Sequence, residues 1–228
     1  DPTFAHVTEG AEVLRAAGCT AIVAVGGGSS MDAAKIIACT RTSDDSPDKW
    51  VGLNKVPDDV LPIYAIPTTS GTGSEATMGA VIKDPEEKLK HIIVGEDLLP
   101  QAVALDPDLL LGLPVPVTAA TGIDALTHGI EAYICIWDRG TRKENGRLAI
   151  QGVFRWLERA VQHPEDVEAR QGMAVAAYHA GIAINHVGVG NVHAIAHQLG
   201  ARYGIPHGQA NALALPHVLK ACLAEAET

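Results

Sequence analysis

Residues 21–35 read AIVAVGGGSSMDAAK. A run of Ala, Ile and Val passes straight into Gly26, Gly27 and Gly28, and Ser29, Ser30 and Asp32 then lead into a helical pattern. β-Branched residues suit a buried strand, and glycines permit a turn that a Cβ would obstruct. The stretch predicts a buried strand over 21–25, a glycine turn, and a helix beginning near Met31. Strand, turn and helix in that order form the unit of an α/β layer.

The same alternation continues on both sides. A helix is expected over 4–17, a second strand over 61–66 (LPIYAI), and weaker strands over 80–82, 91–94 and 102–105. Residues 43–59, with their charges, prolines and Gly52, read as a surface loop. This pattern predicts a largely parallel sheet. After Pro114 the chain turns helical almost throughout, in alanine-rich stretches near 117–135, 142–161, 165–187, 190–202 and 208–224. Two domains are expected, residues 1–113 as an α/β domain and residues 114–228 as an all-α domain.

Composition bounds the function. At 228 residues and 47% hydrophobic, the chain can bury a sizeable core, and with aromatics at 4% that core must be built from Ala, Val, Ile and Leu. Seventeen basic against 27 acidic residues give a formal charge of −10 without any basic run, which argues against a nucleic-acid partner. Cys19, Cys39, Cys135 and Cys222 form no CxxC pair, so reduced cysteines of a cytoplasmic protein are expected. Neither a signal-peptide pattern nor an apolar run of about 18 residues is present, so secretion and membrane insertion are not expected.

The glycine turn carries chemistry of its own. Glycines let backbone N–H groups approach an anion, and the positive end of the helix dipole favours phosphate there. The pattern is neither GxGxxG nor GxxxxGK[ST], which excludes a standard Rossmann fingerprint or P-loop. A tight strand-to-helix turn with Ser29 or Ser30 as N-cap is the other reading. A second polar loop follows the second strand: in residues 65–77, AIPTTSGTGSEAT, hydroxyls crowd around Gly71 and Gly73. Open α/β sheets bind ligands at the carboxyl ends of their strands, so the two loops together point to a nucleotide or dinucleotide.

The helical half carries a different signal. Asp124 and His128 stand four apart in TGIDALTHGIEAY, and His193, His197 and His207 follow in GNVHAIAHQLGARYGIPHGQAN. An (i, i+4) pair on a helix puts a carboxylate and an imidazole on one face. The five residues read as a mononuclear metal site. Glu131 reads either as an acceptor behind a ligand or as a helix-solvating carboxylate, the second being favoured, and His6, His91, His163, His179, His186 and His217 read as ordinary core or surface residues.

Five motifs, GGGSSMDAAK, PTTSGTGSEAT, LDPDLLLGLP, GIDALTHGIEAY and HAIAHQLGARYGIPHGQANALALPHV, resemble in order and spacing the iron-dependent (group III) alcohol dehydrogenases over almost the whole chain. The resemblance implies a dehydroquinate synthase-like architecture, with a partial dinucleotide-binding α/β domain and a helical metal-binding domain. It implies Asp124, His128, His193 and His207 as ligands of Fe(II) or Zn(II), and His197 as a proton-relay group beside them. Gly26, Gly27, Gly28 and Ser29 would hold the pyrophosphate of NAD or NADP with Asp32 nearby. Thr68, Thr69 and Thr72 would line the cofactor crevice, and Lys90 matches a lysine that contacts the cofactor.

The implied reaction is hydride transfer between a small alcohol, or an aldehyde or ketone, and NAD(P), in a homo-oligomer of two or more chains. Members of the family usually extend further at both ends, so a chain truncated at each end is expected. A metal-binding but catalytically weak relative, or a metal-dependent lyase on the same fold, are the alternatives.

Overall fold

Behind α1 (Phe4–Ala17), whose N-terminus is capped by Thr3, the chain enters β1 (Ile22–Gly26) and then α2 (Gly28–Cys39) in the computed structural model, which describes residues 1–43, 45–137 and 140–226. The chain divides into two units, Asp1–Thr69 with Ser74–Leu109, and Ser70–Gly73 with Leu110–Thr228.

In the first unit β1 pairs in parallel with β3 (Ile63–Pro67), and β3 pairs in parallel with β6 (Ala102–Val103). Parallel neighbours need a crossover, and α2 lies on the one between β1 and β3, packing Met31 and Ala34 onto Ala24 and Ala65. The remaining strands build a second sheet. There β4 (Gly79–Asp84) and β5 (Leu89–Val94) are antiparallel, with β2 (Gly52–Leu53) parallel to β5.

Two expectations change. The run at 21–25 is buried on one face only: Ala24 is 4% exposed, whereas Val23 and Val25 are 60% and 54% exposed. Successive side chains of a strand alternate between faces, so a uniformly apolar run cannot reveal that one face lacks cover. The segment 43–59 is not simply a surface loop. It contains a short 3₁₀ turn, Pro47–Trp50, and Trp50 packs in the core with Val7, Ile36, Ile82, Ile93 and Leu98. One indole supplies enough apolar area to anchor a segment whose composition is otherwise polar.

The second unit is a set of helices: α3 (Val115–Ile134), α4 (Arg142–Gln162), α5 (Val167–Val187), α6 (Asn191–Tyr203) and α7 (His207–Ala226). Its core is rich in alanine, with Ala125, Ala149, Ala160, Ala169, Ala176, Ala177 and Ala180 around Leu126, Val153 and Met173. Small side chains let the helices close on one another: a Cβ on Gly146 would stand 2.8 Å from the carbonyl oxygen of Gly129. Low aromatic content is thus a condition of this packing, since a larger side chain at such a crossing would force the helices apart.

Helix α3 is held at both ends by buried arginines. Arg170 donates to Thr118 Oγ1 at 2.7 Å and to the Leu113 carbonyl at 3.2 Å. Arg142 donates from Nη1 to the carbonyls of Ala132 and Tyr133, at 3.0 and 3.2 Å, and from Nε to that of Trp137. The last carbonyls of a helix lack intrahelical partners, and a guanidinium there satisfies them and opposes the helix dipole. The helix so fixed is the one that carries the acidic part of the site.

Candidate metal centre

Asp124 and His128 lie one turn apart on the inner face of α3, and Glu131 continues that face one turn further. His193 stands in the first turn of α6, after Gly188 (φ 73°) has ended α5, and His207 is the first residue of α7. Asp124, His128 and His193 are 2%, 4% and 1% exposed. Burial of a carboxylate is costly unless it is paired.

Three imidazoles supply the pairing. Nε2 of His193, His207 and His128 lie 3.3, 3.4 and 3.7 Å from Oδ1 of Asp124. Four ligands at about 2.1 Å from one tetrahedral cation stand about 3.4 Å from one another, so these separations fit a single ion better than they fit direct hydrogen bonds. Asp124, His128 and His193 offer ligand atoms all within 4.8 Å of one another. His207 is the outlying member, close to Asp124 and 28% exposed in its side chain. The rings of His128 and His193 are stacked, with centroids 4.4 Å apart.

Glu131 organises the far side of His193. One carboxylate oxygen lies 2.6 Å from His193 Nδ1 and accepts from the Gly190 N–H at 2.8 Å, and the other accepts from the Val192 N–H at 2.6 Å. Gly190, the N-cap of α6, offers no side chain, so a carboxylate from α3 caps that helix instead. The same carboxylate accepts from the Nδ1–H of His193 and so turns Nε2 toward Asp124, the usual arrangement behind a metal-ligating histidine. The solvating role expected for Glu131 is therefore corrected. Asn211, fully buried one turn after His207, donates from Nδ2 to Asp124 Oδ1 at 2.7 Å.

Titration follows the same contacts. Burial alone would raise the Asp124 carboxyl, but His128, His193 and His207 hold it well below the usual carboxylate range. Burial pulls His128 down to about 4. At His193 burial acts downward, yet Asp124 and Glu131 on its two nitrogens push it up to about 9. Positive charge is thus favoured where Nε2 meets Asp124, and a divalent cation supplies it while accepting all three imidazole lone pairs. The donor set fits such an ion.

His197, one turn beyond His193 on α6, is not among the converging atoms. Its ring lies 6.0 Å from that of His193 and 5.3 Å from that of His207.

In the first unit the two loops expected at a nucleotide do meet. The Thr68 N–H donates to the Gly26 carbonyl at 2.9 Å, and a Cβ on Gly27 would lie 3.1 Å from Thr69 Cγ2. Gly26, at φ 151°, has a backbone few side-chain-bearing residues adopt. Helix α2 begins at Gly28 rather than near Met31, and its N-cap is Gly27, with no side-chain hydrogen bond. Ser29 and Ser30 thus stand inside the helix and are not its cap.

The other expected cofactor residues are placed differently. Asp32 is buried and engaged, accepting from Ser74 Oγ at 2.7 Å and from the Val81 N–H at 3.0 Å. Lys90 lies on β5 in the second sheet, where Nζ pairs with Asp1 at 2.8 Å. Thr72 falls in the segment Ser70–Gly73, which belongs to the helical unit.

The model for iron-containing alcohol dehydrogenase matches residues 1–107, and the model for the C-terminal region of the Fe-containing alcohol dehydrogenase family matches residues 118–228. The chain belongs to the iron-containing alcohol dehydrogenase family. An NAD-dependent methanol dehydrogenase of Bacillus methanolicus is 42% identical over 221 residues, covering 96% of this chain and 57% of that protein. A solved 1,3-propanediol oxidoreductase superposes with a TM-score of 0.93 at 41% identity, covering 98% of this chain and 58% of the other. A sulfoacetaldehyde reductase from Bifidobacterium kashiwanohense in complex with NAD+ has a TM-score of 0.91 at 35% identity, covering 96% and 59%. The chain thus spans a little over half the length of these iron-containing alcohol dehydrogenase relatives. The α/β unit followed by a helical one is the fold of that family.

Of the residues that build the site, Glu131 reads in the sequence as solvating although an acceptor role is open to it, and Asn211 is not singled out. Glu131 stands three residues after His128 and seven after Asp124, the spacing of one helix face. Asn211 stands four after His207. Both signals are present, but each is common on helices that bind nothing.

Proposed function

We propose that this chain belongs to an enzyme that transfers a hydride between a small alcohol, or the corresponding aldehyde or ketone, and NAD(P), using iron(II) held by Asp124, His128, His193 and His207. The observation that carries the reading is the convergence of three imidazole Nε2 atoms on one oxygen of a buried carboxylate. A bound divalent cation supplies Lewis acidity, which lowers the pKa of a hydroxyl and polarises a carbonyl, and the nicotinamide supplies the hydride acceptor or donor.

The protein's own residues do the rest. Glu131 keeps the Nδ1 proton of His193 in place and so fixes which nitrogen faces the site. Asn211 holds Oδ1 of Asp124 in orientation. His197, on the next turn of α6, is the neutral base we assign to carrying the hydroxyl proton away. The backbone of Gly26, Gly27, Gly28 and Ser29 takes the pyrophosphate, beside the hydroxyls of Thr68 and Thr69, and Thr72 and Lys90 are assigned to the same cofactor. Asp32 serves this site by tying α2 to the segment around Ser74.

One carboxylate and three imidazoles accommodate Fe(II) or Zn(II), and the family description favours iron. NAD is favoured over NADP by two relatives, the NAD-dependent methanol dehydrogenase and the sulfoacetaldehyde reductase in complex with NAD+. The four cysteines are free, which suits the reducing, cytoplasmic setting we propose; no helix among the described residues is long and apolar enough to cross a membrane. A homodimer is the assembly we propose.

The test is alcohol-dependent NADH formation after anaerobic loading with Fe(II), across short primary alcohols. Activity that needs the metal and is lost in His193→Ala is expected. Stoichiometric metal without any NADH formation would overturn the dehydrogenase reading of this chain.

A further inference from the structure

Lys35 belongs neither to the metal centre nor to the residues assigned to the cofactor. Its side chain is 0% exposed, on α2, three residues after Asp32. Nζ donates to the backbone carbonyls of Ser74, Thr77 and Gly79 at 2.7, 2.8 and 2.7 Å, with the hydroxyls of Ser74 and Thr77 at 3.0 and 3.3 Å. An ammonium has three N–H bonds, and three carbonyls use all of them.

Carbonyl dipoles aimed at one point repel one another unless a cation stands there. The three that meet at Lys35 come from one short stretch, the end of the hydroxyl-rich loop and the start of β4. Asp32 grips the same stretch through Ser74 Oγ and the Val81 N–H. Glu75, 3% exposed, lies in it too and adds an attraction for the Lys35 charge. The preceding part of the loop is fastened to the glycine turn by the Thr68 N–H and by Thr69 against Gly27. Helix α2, which begins at the glycine turn, thus also holds the second loop through a charge buried within it.

We propose that Lys35 is a positioning residue, an internal cation around which residues 74–79 fold, and that it keeps the hydroxyl-bearing loop in the shape that receives the cofactor. The part concerning the cofactor rests on the nucleotide reading of the two loops. A purely space-filling role would need the lysine's carbon stem, whereas this role needs its charge. The two are separable by chemistry.

The experiment uses the 228-residue chain in three forms: wild type, Lys35→Met and Lys35→Ala. Hydrogen exchange across 72–81 reads the fold of the segment, NADH fluorescence titration reads the cofactor, and bound metal reads the helical unit. In Lys35→Met, exchange across 72–81 should quicken and NADH affinity fall, each by about tenfold or more, as for loss of a charged hydrogen-bond donor. Bound metal should be unchanged. In Lys35→Ala, n-propylammonium should restore protection, and neutral n-propanol should not.

Wild-type protection in Lys35→Met would overturn the proposal. So would a loss in Lys35→Ala that propanol repairs equally well, or that the amine leaves unrepaired, including a loss spread over the whole first unit. If the exchange results hold but wild-type chain fails to bind NADH, the nucleotide reading falls and the internal-cation role of Lys35 stands.

Discussion

Each unit buries a cluster of charge, and the two clusters are built in opposite ways. Around Lys35, acceptors converge on a donor that the chain itself provides: three carbonyls and two hydroxyls face one ammonium, with Asp32 and Glu75 nearby. Around Asp124, acceptors converge on one another: a carboxylate oxygen meets three imidazole nitrogens at 3.3 to 3.7 Å, and the donors in reach are the Asn211 amide and whatever protons the rings retain. Burial does not distinguish architecture from a ligand site. What distinguishes them is how the positive charge is supplied: by one ammonium that all the acceptors share, or by an imidazolium at His193 whose place a divalent cation, joined to the carboxylate and all three imidazoles, would take.

The comparison breaks most directly at His193. Its replacement by alanine removes one ligand and the group that Glu131 orients, so bound iron, measured by elemental analysis after anaerobic loading, should fall from near one per chain to less than roughly a tenth of that. Exchange protection around Lys35 should not change. Full metal occupancy in His193→Ala would mean that the Asp124 cluster is as self-sufficient as the Lys35 one.

Glu131→Gln tests the support behind that ligand. The loss of charge and of a fixed Nδ1 partner should weaken metal affinity by roughly 10–100-fold in a chelator competition, as for other partners of ligating histidines. Affinity within about twofold of wild type would show that Glu131 serves only as the cap of α6.

The Lys35 cluster carries a signature in pH. Burial pushes Glu75 up to about 7, above its ordinary 4.5, so its contribution is fully present below about 4.5 and is lost as pH rises through 7. Burial pulls Lys35 down to about 8 from 10.5, so its contribution is present above about 10.5 and is lost as pH falls through 8. The two buried charges therefore cost most between about 7 and 8. Urea unfolding should show Glu75→Gln more stable than wild type at pH 8 by roughly 3 kcal/mol, the net of desolvation relieved and attraction to Lys35 lost. At pH 4 the two proteins should match. An equal difference at both pH values would show that the gain is unrelated to the carboxylate.

The smallest expected effect is at Asn211. Asn211→Leu removes one hydrogen bond to a ligand that stays in place, so metal affinity should drop by about threefold to tenfold in the same competition assay. A drop as large as that of His193→Ala would move Asn211 from supporting Asp124 to binding the ion itself.

Much of the site was legible because helices print their geometry in the sequence. Asp124 and His128 share a face by spacing alone, and the turn before α2 announced itself through a strand running into three glycines. The short-range surprises have local causes. Trp50 drew 43–59 into the core by its area, and α2 begins at Gly28, before either serine, so the cap position falls to Gly27. Glu131 stayed hidden for a different reason. Its partners, Gly190, Val192 and His193, stand some sixty residues away, and the one local clue, its place on the helix face of Asp124 and His128, is shared with many solvated carboxylates.

By itself, then, the sequence determined which residues can carry chemistry and the order of the elements that present them: periodicity and glycine act over a few residues, and a single chain displays them fully. Only the tertiary structure decided which of those residues act together. It set Glu131 behind His193, Asn211 on Asp124, and Lys35 among carbonyls forty residues on. Such contacts arise from packing between distant segments, where the energy depends on distance and burial, and neither quantity is written in the local order of residues.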